Sequence, residues 1–263
     1  MSPAGTSRGR LPGTRPPGTH DETAASREVR DMFSRIAPRY DLLNHLLSMR
    51  FDVMWRKRLA RRFAAILERP EARILDLCCG TGDLALILAN SPSRGHDSEP
   101  RCLVGADFAH PMLVRAQEKA GRNRGRPIRF VEADALSLPF ADSEFDLVTT
   151  AFGFRNLANY ASGLQELRRV IKPGGSVAIL EFAEPRSALM RRGFGFYFHR
   201  VLPAIGAAIS GNASAYTYLP NSVARFPGPH ELLQLMEESG FSGAAFESWT
   251  AGIVTLHTGQ ARP

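Results

Sequence analysis

The chain reads as a doubly wound α/β domain on a mostly parallel sheet. Three observations predict it. Strand-like apolar runs alternate with helix-like stretches over residues 73–182, the pattern of successive βαβ units. The run Ile74-Leu75-Asp76-Leu77 breaks into the small-residue turn Cys78-Cys79-Gly80-Thr81-Gly82, and a helix opens at Leu84. Three successive strands carry an acid at or near the carboxyl end: Asp76, Asp107 and Asp134.

Taken in order, residues 22–69 predict helices. The first ends near Ser34, a second follows Pro38 over 40–47, and a third spans about 52–68. The first strand, Ile74 to Leu77, leads into the helix Leu84 to Ala89. Residues 91–101 form a polar surface loop. The second strand is Leu103-Val104-Gly105-Ala106-Asp107, with a helix opening near Pro111. Ile128 to Ala135 is a third strand running into a polar turn, and Phe145 to Thr150 a fourth. A helix covers about 160–171, Lys172-Pro173-Gly174-Gly175 is a turn, and Ser176 to Phe182 a fifth strand. The chain closes with a helix over 231–239, ended by Gly240, and an antiparallel pair at 241–249 and 253–258. No internal repeat is present.

The glycine turn carries the first functional signal. Gly80 and Gly82 let the backbone turn tightly and leave no side chain between main chain and ligand. A dinucleotide fingerprint, G-x-G-x-x-G, needs a third glycine where this chain has Ala85. With Asp76 just ahead of the turn, the pattern resembles the first motif of class I S-adenosylmethionine (AdoMet) methyltransferases. Asp107 falls where an acid meets the ribose hydroxyls of an adenosine, and it also stands where it would cap the next helix. Asp134 is placed to accept from an adenine amino group, with small Ala135 permitting close approach; the other reading is a turn residue.

Composition bounds the rest. With 263 residues, 44% of them hydrophobic and 22% charged, the chain supports one substantial core. Of three cysteines, Cys78 and Cys79 are adjacent and poor disulfide partners, which suits a reduced, cytoplasmic protein. No CxxC or histidine cluster suggests a metal. The net charge of +7 comes from scattered arginines without an RNA-binding signature, so nucleic acid is not an expected partner. Solvated helix faces explain the charge, and contact with an anionic membrane leaflet is the alternative. Residues 1–21 are nearly free of large apolar groups and are expected to be a disordered tail, with one domain over 22–263. They contain no secretory apolar region, and their four prolines disfavour a transit helix. Residues 186–219 break the alternation with an apolar, aromatic stretch. Pro203, Gly206, Gly211 and Asn212 rule out a comfortable membrane span. Two readings stand: a helical cover over a greasy substrate, or ordinary packing or a homodimer surface.

Other blocks are more specific. Phe33-Ser34-Arg35-Ile36-Ala37-Pro38-Arg39-Tyr40-Asp41-Leu42-Leu43-Asn44, with Ser48, Trp55 and Lys57, resembles the N-terminal signature of the ubiquinone/menaquinone biosynthesis C-methyltransferases. So do Leu138-Pro139-Phe140 with Phe145-Asp146, Phe152-Gly153-Phe154-Arg155-Asn156 and Leu180-Glu181-Phe182. Residues 216–219, Ser222-Val223, Phe226-Pro227, Gly252-Ile253-Val254 and His257 match the later blocks. The match runs in order over about 29–259.

That resemblance implies a seven-stranded, Rossmann-like class I AdoMet-dependent methyltransferase with N-terminal helices and a helical substrate cover. It implies AdoMet as cofactor, contacted at Thr81, Asp107, Asp134 and Ala135. With the turn residues, the expected cofactor-binding set is Asp76, Gly80, Thr81, Gly82, Asp107, Asp134 and Ala135. Relatives often place a serine after the fourth strand where this chain has Ala151. The implied acceptor is a polyprenylated quinol, demethylmenaquinol or a 2-methoxy-6-polyprenyl-1,4-benzoquinol, reached at the inner face of the cell membrane. Rival readings are another small aromatic acceptor, an RNA base, or a non-catalytic AdoMet-binding scaffold.

Ring methylation needs an electron-rich carbon, and a phenol with a pKa of about 10 must be helped toward its anion. Arg155 is expected to supply that electrostatic help and Asn156 to orient the acceptor; the alternative for Arg155 is an ion pair with an acid on a neighbouring helix. Proton removal is expected through water, Tyr40, Asp41 or His199. Tyr40 and Asp41 would otherwise fix the N-terminal helix, and His199 would be a core histidine.

Overall fold

The computed structural model describes residues 13–41, 48, 50–92, 103–123, 125–185, 187, 192, 193, 195 and 214–262. Among them a seven-stranded sheet runs in the order β3-β2-β1-β4-β5-β7-β6. The strands are β1 (Ile74–Leu77), β2 (Leu103–Asp107), β3 (Ile128–Glu132), β4 (Phe145–Ala151), β5 (Ile171–Phe182), β6 (Phe241–Trp249) and β7 (Val254–Ala261). The first five pair in parallel, while β7 runs antiparallel to both β5 and β6. Strand order reverses between β1 and β4, which opens a crevice beyond their carboxyl ends.

The described helices are α1 (Glu22–Ile36), α2 (Phe51–Arg62), α3 (Ala64–Leu67), α4 (Asp83–Ala89), α5 (His110–Gly121), α6 (Tyr160–Val170), α7 (Ser214–Arg225) and α8 (Pro229–Glu238), with short 3-10 turns at Ala37–Arg39, Phe154–Asn156 and Thr250–Gly252. Two apolar layers sandwich the sheet. On one face Leu75, Leu77, Val148 and Ile179 pack against Leu164 and Leu167 of α6 and Leu232 and Met236 of α8. On the other, Ile74, Leu147 and Leu180 meet Trp55 and Leu59 of α2 and Leu84 and Leu88 of α4. A strand alternates its side chains, so Asp76, two residues from Ile74, points toward the α2 layer.

Three sequence expectations change. The helix expected over 52–68 is broken at Phe63 (φ −110°, ψ 20°), which turns its ring into the α2 layer. The turn at 172–175 is absorbed into β5 as an irregularity, with Gly174 at φ +75° taking up the shift in pairing against β4. The expected disorder does not hold for residues 13–20: Thr14 is 4% exposed, and its backbone N–H donates to the Leu157 carbonyl at 2.7 Å. The helix expected over 42–47, most of the loop over 91–101, His199 and most of the cover over 186–219 lie outside the described residues. Among the described residues no helix is long and apolar enough to cross a membrane.

Trp55 joins the α2 layer to the far end of the sheet. Its ring packs on Phe152 (5.9 Å) and Phe182 (6.2 Å), and its indole N–H donates to Thr250 Oγ1 at 2.8 Å. Trp55→Ala should cost about 3–5 kcal/mol of stability. Urea titration will read this as a lower midpoint at unchanged slope, and an unmoved midpoint would show that the layer does not depend on this ring.

Candidate active site

A cavity lies at the carboxyl ends of β1, β2 and β4, with about 630 Å³ of non-protein space, its mouth included. Tyr40, Gly80, Asp107, Asp134, Ala135 and Asn156 line it. Asp41, Asp76, Thr81, Gly82 and Arg155 are not part of its lining.

The glycine turn forms the floor. Gly80 (φ +55°) and Gly82 (φ +83°) sit in the left-handed region that side chains disfavour. Gly153 comes so close that a Cβ there would lie 2.3 Å from the Cβ of Cys78. Only glycine at 153 leaves room for Cys78 beside it. Burial pushes the Cys78 and Cys79 thiols well up, so both are neutral, packed groups rather than nucleophiles.

Asp107 is buried. Its Oδ2 accepts the Gly80 N–H and its Oδ1 the Ala109 N–H, both at 2.9 Å. It thus fastens the glycine turn and the bend before α5; the N-cap of α5 is Ala109 and not Asp107, which the sequence offered as the alternative. Each oxygen keeps a lone pair, so the same carboxylate has capacity for a ligand hydroxyl. Burial raises its pKa to about 6, against the pull of the Ala109, Gly80 and Phe108 amides. Asp134 is exposed at the rim, and its Oδ1 accepts the Leu136 N–H at 2.9 Å, the turn role.

Asp76 departs from expectation for the reason of strand parity. It faces Thr149, whose hydroxyl donates to Oδ1 at 3.0 Å, and the Ala85 backbone N–H at the start of α4 also acts on this carboxyl. Burial raises its pKa to about 7, opposed by Thr149 and by Arg56. Asp41 is an anchor, the alternative left open for it. Oδ1 accepts from the Thr81 hydroxyl, and Oδ2 from Lys119 Nζ at 3.0 Å. Lys119 also reaches Thr81 Oγ1 at 3.0 Å and Asp83. This cluster ties the N-terminal helices to the glycine turn and turns the Thr81 hydroxyl toward Asp41.

Arg155 is buried (5% exposed) and paired, with an acid on β5 rather than on a helix. Its Nη1 donates to Glu181 Oε2 at 2.9 Å and to the Phe152 carbonyl, and its backbone N–H donates to Glu181 Oε1 at 3.0 Å. Burial pulls the guanidinium pKa down, but Glu181 together with Tyr40 and Tyr218 outweighs it and the net direction is up. Nε is buried with no partner among the described residues. Tyr40 and Tyr218 lie close enough to act on this charge. Tyr218 donates its hydroxyl proton to Asn156 Oδ1 at 3.0 Å, which leaves the Asn156 amide NH2 as its donor end on the cavity wall. Sequence reasoning missed Glu181, Tyr218 and Lys119 as site residues. Glu181 had a signal, an acid between Leu180 and Phe182 in an otherwise apolar strand; Lys119 looks like any helix-surface lysine.

The sheet order, the glycine turn and the acid-lined crevice define a Rossmann-like class I methyltransferase. The family model of the ubiE/COQ5 methyltransferases matches residues 21–261, and the chain belongs to that family. It is 51% identical to a demethylmenaquinone methyltransferase of Thermus thermophilus over 228 residues, which is 87% of this chain and 99% of that one. It is 43% identical to a ubiquinone/menaquinone biosynthesis C-methyltransferase UbiE of Geobacter sulfurreducens, covering 90% of each. The fold superposes on a SAM-dependent methyltransferase of Thermotoga maritima with a TM-score of 0.59 at 19% identity, over 89% of this chain and all of that one.

Asp76 generates a pH-dependent stability. A carboxyl whose folded pKa (about 7) exceeds its unfolded value stabilises the fold fully below about pH 4, and that contribution is lost as pH rises to 7. Its full size is about 4 kcal/mol at most. Asp76→Asn, which stays neutral, should match the wild type near pH 4 and become the more stable protein by pH 8. Urea titrations at both pH values check this; a constant gap would mean Asp76 is ionised in the fold throughout.

Proposed function

We propose that this chain transfers the methyl group of AdoMet to a ring carbon of a polyprenylated quinol, converting demethylmenaquinol to menaquinol. The observation that carries the reading is the cavity itself: a glycine floor and Asp107 on one side, the Arg155-Asn156 pair behind and beside its other wall. The cofactor fits the residues present. Gly80 borders the cavity without a side chain, Asp107 has hydroxyl-accepting capacity, and Asp134 and Ala135 border the rim. AdoMet brings a methyl group on a positively charged sulfur, activated for transfer without help from an acid.

The chain's own residues then have to bind, orient and manage one proton. Asp107, Gly80, Asp134 and Ala135 hold the nucleoside, with Thr81 and Gly82 shaping the turn and Asp76 bracing β1 from the other face. Asn156, its carbonyl held by Tyr218, offers N–H to an acceptor oxygen. Arg155, buried behind that wall, offers a positive field, which favours the phenolate form of the quinol. Ionisation raises electron density at the ring carbon that forms the new bond. The ring proton displaced by the methyl group leaves through water or the Tyr40 hydroxyl, which borders the cavity. Asp41, with both oxygens engaged, holds the N-terminal helix that carries Tyr40. Placing an apolar tail beyond the cavity mouth implies transient contact with a membrane surface. Relatives carrying both menaquinone and ubiquinone names keep a benzoquinol as the second acceptor to assay.

Incubation with methyl-labelled AdoMet and demethylmenaquinol should give labelled menaquinol; label staying off every quinol, with a folded protein, would reject the reading. Arg155→Lys keeps a charge opposite Glu181 but loses the planar guanidinium that Glu181 and the Phe152 carbonyl hold in place. It should lower kcat by about 10–100-fold while the AdoMet Kd, read by calorimetry, changes less than about threefold. Equal losses in both would make Arg155 a structural residue.

A further inference from the structure

The segment just ahead of α1 is seated where a disordered tail was expected. Gly13 lies flush on the main chain beyond the 154–156 turn: a Cβ there would come within 2.1 Å of the Ala158 carbonyl carbon and 2.3 Å of the Asn159 nitrogen. Neither neighbour is a flexible side chain, so only glycine fits. Thr14 is 4% exposed and donates its N–H to the Leu157 carbonyl at 2.7 Å. Arg15 donates to the Ala158 carbonyl at 2.6 Å, and Arg225 of α7 donates to the Arg15 carbonyl at 2.7 Å. Leu157 and Ala158 are themselves cavity wall. Pro16 and Pro17 lower the entropy lost when this stretch orders.

The hydrogen-bond inventory gives the contact a direction. Tyr218 has one hydroxyl proton and gives it to Asn156 Oδ1 at 3.0 Å. The 3.3 Å contact between Thr14 Oγ1 and the Tyr218 oxygen therefore has Thr14 as donor. The chain runs from Thr14 through Tyr218 to Asn156, and it ends by presenting the Asn156 NH2 group to the cavity. Burial pushes the Tyr218 hydroxyl pKa up, with the Thr14 hydrogen bond pulling against it, so Tyr218 stays a neutral donor.

We infer that residues 13–15 are a strap that completes the acceptor wall, and that Thr14 is a positioning residue that holds Asn156 through Tyr218. This rests on the reading of Asn156 as the acceptor's orienter. Thr14→Val removes the hydroxyl at nearly constant volume and should lower kcat about three- to tenfold, with the AdoMet Kd unchanged and the melting midpoint lowered by only about 2–4 °C. Thr14→Ser should restore it. Gly13→Val, which cannot seat the strap, should lower kcat by tenfold or more at unchanged AdoMet affinity. Hydrogen exchange supplies a readout that needs no substrate: the Thr14 amide should be protected in the wild type and exposed in Gly13→Val. Full activity in both Thr14→Val and Gly13→Val overturns the inference, as does an unprotected Thr14 amide in the wild type. A larger fall in melting midpoint parallel to the loss of kcat, without rescue by serine, overturns the positioning role. A wild type that methylates no quinol rejects the acceptor reading alone, and the amide then decides whether the strap is seated.

Discussion

The site hangs on one buried ion pair, Arg155 with Glu181. Both groups are out of water, Glu181 completely, and sealing two charges away costs several kcal/mol that their attraction returns only if the geometry is good. Here it is. The two carboxylate oxygens of Glu181 take both the Arg155 side chain and the Arg155 backbone N–H, so one acid fixes a guanidinium and the turn that bears it. The turn is only three residues long, Phe154–Asn156, and has no side-chain cap. Glu181 supplies what the turn cannot supply for itself. The guanidinium also lies 5.5 Å from the Phe182 ring centre, and Phe182 packs on Phe152 and Trp55. A charged pair and the aromatic layer of α2 thus hold the same few atoms.

That pairing shapes the chemistry. A guanidinium balanced by a carboxylate is no longer a bare cation, so the help it gives a phenolate is local and directional. Removing Glu181 would leave a buried, uncompensated charge, a worse state than losing both partners. The neighbouring Asn156 needs a second support, because its amide can turn about its own axis. Tyr218 gives it one by fixing the carbonyl end.

How much of this was legible depends on whether a feature is written along the chain or across it. The glycine turn, Asp107 at the end of β2 and the Arg155-Asn156 pair are contiguous or tied to strand ends, so the sequence marks their place in the fold; Gly80, Asp107 and Asn156 border the cavity, and Arg155 lies behind it. Asp76 misled because all four residues of β1 are buried, so its pattern showed no alternation from which to read the face. Phe63 gave no breaker signal; an aromatic side chain joining the core ends the helix there, and propensity does not record that. Thr14 sits in a segment poor in apolar residues, whose composition reads as disorder. It is ordered by backbone hydrogen bonds and by a glycine-sized contact, and neither leaves a mark on hydropathy.

The two halves of the cavity are therefore built by different physics. The cofactor side is made by strand ends and a turn within the parallel sheet, held by ladder hydrogen bonds between β1, β2 and β4. The acceptor side is assembled from Thr14, Tyr40, Asn156 and Tyr218, which lie far apart in sequence and meet through single hydrogen bonds and edge-on ring contacts such as Phe33 with Tyr40 and Tyr218. Its bonds are part-buried and few, so it opens at lower free energy than the sheet beneath it. The weakly held contacts thus gather around Asn156, where each depends on a partner from another part of the chain, whereas Gly80 and Asp107 are fixed by the strand ends that carry them.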